Sequence, residues 1–262
     1  MFIDSHCHLD RLDLAPYEHN FNNLVNAISD ARVDHMLCVS IDLESYPAML
    51  ELVAGYDNIS TSVGVHPNDK DRHEPTASEL VELAQHPSNV AIGETGLDYF
   101  RSEGSLDWQR ERFRIHIRAA REANKPLIIH TREAREDTIK ILQEENAAEV
   151  AGVMHCFTES WDMAQAAMDM GFYISFSGIV TFNSARELKD VAKKVPLDRM
   201  LNETDSPYLA PVPFRGKPNI PAFVGNVAEH IAELRDTTVE IIAEASCKNF
   251  RQLFMPEETQ AS

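Results

Sequence analysis

RFRIHIRAAREANKPLIIHTR, residues 112–132, contains the unit whose repetition decides the fold. Phe113, Ile117 and Ala120 recur at helical spacing and give this segment one apolar face. The run Leu127–His130 follows, short and apolar as a buried parallel strand should be, and it ends on a histidine. Similar runs lie at Met1–Cys7, His35–Ile41, Ile59–Val65, Val90–Gly93, Gly152–Cys156, Phe172–Phe176 and Met200–Thr204, which makes eight in all. Helix-spaced stripes separate them: Leu24, Ile28 and Ala31; Met49, Leu50 and Val53; Leu80, Leu83 and Ala84; Met163, Ala166, Ala167 and Met170; Leu188, Val191 and Ala192. From Ile220 onward two more helices are expected, with stripes Val227, Ile231, Leu234 and Ile241, Ile242, Ala245. Eight strands alternating with helices predict an α/β fold, a TIM (β/α)8 barrel forming a single domain over residues 1–262. The competing fold is an open doubly wound sheet, but no GxGxxG turn follows the first strand.

Composition limits the partners. With 42 acidic and 24 basic residues the formal charge is −18, so the chain repels phosphate backbones and cannot hold duplex DNA by charge alone. A nucleic-acid substrate needs a local positive patch, which bound metal ions would supply. The plain reading of the acidity is solubility. Cys7, Cys38, Cys156 and Cys247 form no CxxC pair, which favours a reducing compartment over a disulfide framework. No signal peptide and no membrane-length apolar run is visible, so a cytoplasmic location and no membrane association are expected. The chain is expected to be a monomer or a small homo-oligomer.

The unusual polar residues fall at strand ends. His6 and His8 stand two apart on the first strand, so alternation sends both to one face and Cys7 to the other. Glu94 closes the fourth run, His130 the fifth, His155 the sixth and Asp205 the eighth. Each follows an apolar run, and burying an unpaired carboxylate or imidazole costs several kcal/mol. As a pair, His6 and His8 could be satisfied core histidines. Six such groups at the C-terminal ends of five strands, where barrel enzymes keep their active sites, indicate a shared metal site. Four imidazoles and two carboxylates exceed one four-coordinate ion and suit two divalent ions. Glu94 is the natural bridge, with His6, His8 and Asp205 completing one ion and His130 and His155 the other. The ligand types admit Zn, Mn, Fe, Co, Ni or Mg.

These residues sit in DSHCHLD (4–10), GVHP (64–67), GETGLDY (93–99), KPLIIHTR (125–132), GVMHCF (152–157), GFYISFSG (171–178) and ETDSPYLAP (203–211). In these motifs the chain resembles the TatD-type metal-dependent hydrolases, a branch of the amidohydrolase-like barrels, over nearly its whole length. The resemblance implies a barrel, a two-metal site and phosphodiester hydrolysis, typically as a deoxyribonuclease. It carries ligand roles onto His6, His8, Glu94, His130, His155 and Asp205, and a part in activating the attacking water onto Asp205. One departure is Asn202, where the family usually has an aliphatic residue. Alternation points it toward the helices, where its amide needs a hydrogen-bond partner.

Further candidates lie around these. His66, ending the third strand, is placed to contact substrate or to support a ligand, the plain alternative being a polar strand end. Arg132, two past His130, could grip a phosphate if the strand continues, and is otherwise solvated. Arg215 and Lys217, in the Pro-rich loop Pro207–Pro221 after the eighth strand, are weaker candidates for that job. Glu203 could orient a ligand or be a buried structural carboxylate. Tyr99 and Ser206 stand at the edge of the expected site, and His116 reads as core or surface. The expected reaction is metal-dependent phosphodiester cleavage at DNA ends or on short single-stranded nucleic acid, with Glu94 and Asp205 as the catalytic carboxylates. Its rivals are hydrolysis of an ester or amide at the same site, because fold does not fix substrate, and a metal-stabilised scaffold without activity.

Overall fold

The computed structural model describes residues 1–68, 70 and 72–256, so the last six residues of the expected domain span lie outside it. Eight strands form one sheet in sequence order, all neighbours parallel: β1 Phe2–Cys7, β2 Val33–Val39, β3 Ile59–Val63, β4 Asn89–Asp98, β5 Leu127–Arg132, β6 Gly152–Met154, β7 Tyr173–Phe176 and β8 Met200–Asn202. One α-helix stands between each consecutive pair: α1 Phe21–Asp30, α2 Tyr46–Val53, α3 Ala77–Leu83, α4 Asp107–Ala123, α5 Arg135–Glu144, α6 Trp161–Asp169 and α7 Arg186–Lys194. After β8 come α8 Val224–Leu234 and α9 Val239–Phe254. The chain is a (β/α)8 barrel.

The sheet closes at the β1–β8 seam, largely through side chains. Beyond a single bridge between Cys7 and Ser206, Asp205 N donates to His6 O (2.9 Å) and His8 N to Ser206 O (2.8 Å). Ser5 Oγ donates to Asn202 O (3.0 Å), and Asp4 accepts from Thr204 N (2.8 Å) and Thr204 Oγ1 (2.5 Å). The seam therefore sets His6 and His8 against Asp205. Burial pushes the Asp4 carboxyl up to about 8, overriding the Thr204 hydrogen bonds that lower it. Folded Asp4 thus holds a proton that the unfolded chain has released above its ordinary value of 3.8. The stability this supplies is full below that value and is lost as pH rises through about 8. Asp4→Asn, whose amide stays neutral, is expected to lose less stability than the parent between pH 5 and pH 8, as measured by chemical denaturation in the presence of chelator.

Two apolar layers follow from strand alternation. Ile3, Leu37, Val39, Ala91, Ile128, Val153, Tyr173 and Leu201 pack inside the barrel together with Phe250 and Phe254 of α9. Their neighbours Met36, Cys38, Ile92, Leu127, Ile129, Met154, Ile174 and Met200 face the helices. The inner layer and α9 fill one end of the barrel with hydrocarbon, so polar side chains collect at the other end.

Several local expectations change. β4 does not stop at Gly93 but runs to Asp98, pairing Asp98 with Arg132, because a bulge between Ile92 and Thr95 lets it bend and continue along β5. Gly96 makes this approach feasible: its φ is +136°, and a Cβ there would stand 2.0 Å from His130 O. Arg135–Glu144 is a helix with no expected stripe, since its buried face is only Thr138, Ile141 and Leu142. In α9 the buried face is Ile242, Ala243, Ser246, Cys247 and Phe250, and Ile241 is exposed, so the expected stripe is rotated. Asn202 lies on the helix side with Met200. Its backbone N–H reaches Ser246 Oγ (3.0 Å), but its buried Oδ1 has no hydrogen-bond partner among the described residues. An unsatisfied buried amide oxygen costs about 1–3 kcal/mol. Asn202→Val is therefore expected to stabilise the fold by about 1 kcal/mol and raise Tm by about 2–4 °C. A calorimetric Tm equal to or below the parent's would refute this.

Candidate metal centre

β1 delivers His6 and, just past its end, His8; β4 delivers Glu94 and Asp98; β5 delivers His130. His155 and Asp205 stand directly beyond β6 and β8, and His66 beyond β3. All converge. Glu94, only 3% exposed, lies at the centre. Its Oε2 is 3.4 Å from His6 Nε2 and 3.9 Å from His8 Nε2. Its Oε1 is 3.0 Å from His155 Nε2, 3.1 Å from His130 Nδ1 and 3.3 Å from His66 Nε2. Asp205 Oδ1 is 3.5 Å from His8 Nε2 and 3.8 Å from His6 Nε2. Among the described residues three trios of possible ligand atoms lie within 4.8 Å of one another: His6, His8, Asp205; His66, Glu94, His130; and His6, His155, Glu203.

Distance alone does not show which nitrogens can bind a cation; the hydrogen bonds do. A carbonyl or carboxylate only accepts, so whatever it faces must carry hydrogen. His8 Nδ1 donates to Val39 O (2.8 Å), His130 Nε2 to Asp98 Oδ2 (3.1 Å) and His155 Nδ1 to Glu203 Oε1 (3.0 Å). The other nitrogen of each ring faces Glu94 or Asp205, so it either carries a second proton or, in the neutral ring, offers its lone pair to a cation held between the two. Lone pairs facing carboxylates repel unless positive charge stands between them. A histidine backed by an acceptor, with its free nitrogen aimed inward, is the usual arrangement of a metal ligand. The donor set therefore fits divalent cations.

His66 differs. Its Nδ1 accepts from Asn68 N (3.1 Å), so the neutral ring carries its proton on Nε2 and donates to Glu94. Although it belongs to a trio by distance, it enters as a donor. The backbone that holds it is fixed from behind: Arg112 Nη1 donates to His66 O (2.8 Å), and His116 Nε2 accepts from Val65 N (3.0 Å) while its Nδ1 donates to Arg112 O (2.8 Å). His116 is thus a core residue, held neutral by burial, which pulls it down to about 4.

The ionisations agree with a site built to hold positive charge. Burial opposes charge on Glu94, but the facing His155, His66 and His130 outweigh it and hold its carboxyl well below the usual range. Burial likewise opposes charge on Asp205, and His8, His155 and His6 override it downward. Burial lowers His155, yet Glu94 and Glu203 raise it well above the ordinary value. His6, buried and stacked on His155 with ring centroids 3.8 Å apart, is lowered by burial and by that neighbour, and its Nδ1 has no partner among the described residues.

The family model described as TatD related DNase matches residues 3–255. The chain belongs to the TatD-related DNase family. The uncharacterized metal-dependent hydrolase YcfH of Escherichia coli K12 is 48% identical over 253 residues, 96% of this chain and 95% of that protein. The 3′-5′ ssDNA/RNA exonuclease TatD of Escherichia fergusonii is 30% identical over 239 residues, 89% of this chain and 92% of that protein. The crystal structure of YJJV, a TatD homolog from Escherichia coli K12, superposes with a TM-score of 0.87 at 27% identity and covers 97% of each chain. The resemblance found in the motifs is borne out, and this TatD-family member is a metal-dependent hydrolase.

Within the TatD-family motif GETGLDY, sequence reasoning missed Asp98, which holds His130 Nε2 and accepts from Asn68 Nδ2 (3.0 Å). The signal was present: Glu94 and Asp98 are four apart, an even spacing on a strand. It was hidden because β4 was expected to end at Gly93. Glu203 takes the place between the two alternatives weighed for it. It is fully buried and orients a ligand candidate, accepting from His155 Nδ1 and from Cys156 N (2.7 Å). Arg132 does share the His130 side of β5, but it leans outward, its guanidinium carbon 3.9 Å from the Phe100 ring centroid. Tyr99 faces away from the centre, bonding Asp137 (2.5 Å), and Ser206 N donates to Thr204 Oγ1 at the seam.

Proposed function

We propose that this TatD-family hydrolase cleaves phosphodiester bonds at the ends of single-stranded DNA with two divalent ions. His6, His8 and Asp205 hold one ion, His130 and His155 the other, and Glu94 lies between them. The observation that carries the reading is Glu94 itself, one carboxylate whose Oε2 faces the β1 histidines and whose Oε1 faces His130 and His155. Bound there, divalent ions supply an acidified water and neutralise charge on the phosphoryl oxygens. Asp205, ionised and 13% exposed at its side chain, accepts the proton of the attacking water. Glu203 and Asp98 fix the rings of His155 and His130. Arg132 donates to substrate phosphate from the β5 rim, while His66, whose proton goes to Glu94, supports that carboxylate from the β3 rim. The exonuclease name of the Escherichia fergusonii relative points the same way. All four cysteines are free, in keeping with a reducing, cytoplasmic setting, and among the described residues no helix is long and apolar enough to cross a membrane.

The ester- or amide-cleaving alternative finds less support. Related barrels often bridge their ions with a modified lysine on the fourth or fifth strand. Here Lys125, the lysine preceding β5, donates instead to Ala84 O (2.6 Å) and to Asn89, at the start of β4 and far from Glu94 along that strand.

The test is purification without chelator, metal analysis, and a screen of single-stranded oligonucleotides, esters and N-acyl compounds before and after chelation. Divalent metal bound to the protein and metal-dependent oligonucleotide cleavage, lost in chelator and restored by Mn or Zn, are expected. Hydrolysis confined to esters or N-acyl compounds would reject the phosphodiesterase assignment.

A further inference from the structure

We propose that Phe100, with Arg132 laid against it, is a stacking platform for an unpaired base flanking the scissile phosphate, and that Tyr208 is its counterpart across the metal centre. This rests on the phosphodiesterase reading above and gives it a physical basis for selecting single strands.

Among the described residues five large apolar side chains are exposed: Met1, Phe100, Tyr208, Val212 and Ile241. Isolated exposed apolar groups are ordinary. Phe100, Tyr208 and Val212 are not isolated, because they follow β4 and β8 at the end of the barrel where the histidines and carboxylates gather. The strand order puts β4 and β8 on opposite sides of the ring, so Phe100 and Tyr208, 56% and 50% exposed, flank the site from two directions. Tyr208 stands next to the metal ligands, its ring centroid 6.1 Å from that of His8.

Arg132 adds the charge. Its neighbours Arg110 and Arg135 are paired with Asp137 and Glu159. Arg132 pairs with no carboxylate among the described residues, and its contact is the face of Phe100, 3.9 Å away. It also lines a cavity of about 620 Å³ in the loops after β4, β5 and β6, where Arg135, Glu133, Glu136, Asp137 and Glu159 supply the other charges. In a chain of charge −18, this is a free guanidinium at the mouth of an acidic protein. A planar cation on an aromatic ring keeps its N–H edges free for phosphate. Every base has a π-face, so an aromatic platform binds bases without regard to sequence, and only bases released from pairing can reach it. An aromatic platform beside an unpaired arginine therefore suits one occupant, a single strand threading past the metal centre.

A binding cycle tests this. The metal-loaded full-length protein is used, with phosphorothioate linkages to prevent cleavage, and fluorescence anisotropy is measured with a labelled single strand of about eight nucleotides and with an abasic strand of equal length. The wild type is expected to bind the base-bearing strand about 10²-fold more tightly than the abasic one, each aromatic contributing a factor of about ten. Phe100→Ala should lose about that factor on the base-bearing strand and almost nothing on the abasic strand, Phe100→Trp should restore it, and Tyr208→Ala should behave like Phe100→Ala. Phe100 is mostly exposed, and matching thermal melts confirm that each variant is folded. Equal losses on both strands, or no loss on either, would overturn the platform. The cleavage assay is read separately. A null cycle with intact cleavage removes the platform and leaves the phosphodiesterase reading standing, whereas a positive cycle without cleavage does the reverse.

Discussion

Glu94→Gln is expected to lower metal-dependent kcat/KM by about 10³-fold or more and to empty at least one metal position. Among the described residues Glu94 is the carboxylate that comes within 4 Å of both sets of imidazoles, through two different oxygens. Glutamine keeps the shape but removes the charge and replaces one oxygen with an NH2, which cannot face a lone pair and a cation together. Charge stabilisation by a metal pair is worth several kcal/mol, and about 4 kcal/mol corresponds to roughly 10³ in rate. The barrel should survive, because the Glu94 carboxylate meets imidazoles and no closing hydrogen bond of the sheet. Metal content by mass spectrometry and turnover by gel assay, on protein with a normal melt, check this. A variant that keeps both metal and rate would show that Glu94 is a structural carboxylate.

Asp205→Asn is the second large effect. Asp205 lies at the β1–β8 seam, its φ of +57° held by its own N–H to His6 O and by Tyr208 N donating to its carbonyl. Asparagine tolerates this left-handed backbone, so the exchange tests chemistry more than folding. Loss of a general base costs about 10²–10⁴ in kcat. The expected result is a fall of that size carried by kcat, with KM for an oligonucleotide changed much less and the His130 side of the centre still metal-loaded. A loss carried mainly by metal affinity, rescued by excess metal, would make Asp205 a ligand without a part in proton transfer.

The barrel could be read early because its signals are local. Strand runs such as Leu127–His130 and stripes such as Phe113, Ile117 and Ala120 are set by side-chain periodicity, which needs no knowledge of the rest of the chain. Helix α5 was missed for the complementary reason: with Thr138 as part of its buried face, the apolar signal is too thin. The site was visible through its cost, since imidazoles and carboxylates after buried strands need partners. Asp98 escaped because the length of β4 depends on its pairing with β5 and on a bulge, neither of which is written in β4 alone.

The amino-acid order by itself determined an eightfold alternation of strand and helix and six candidate metal ligands at the strand ends, because periodicity and the cost of burial act residue by residue. Only the tertiary structure decided what each side chain does there. The Val39 carbonyl and the Asp98 and Glu203 carboxylates fix which nitrogens of His8, His130 and His155 point inward, and Asn68 turns His66 into a donor. These assignments depend on strand register, a bulge and a closed seam. They set distances between residues up to 200 positions apart, as between Asp4 and Thr204, and no local pattern encodes them.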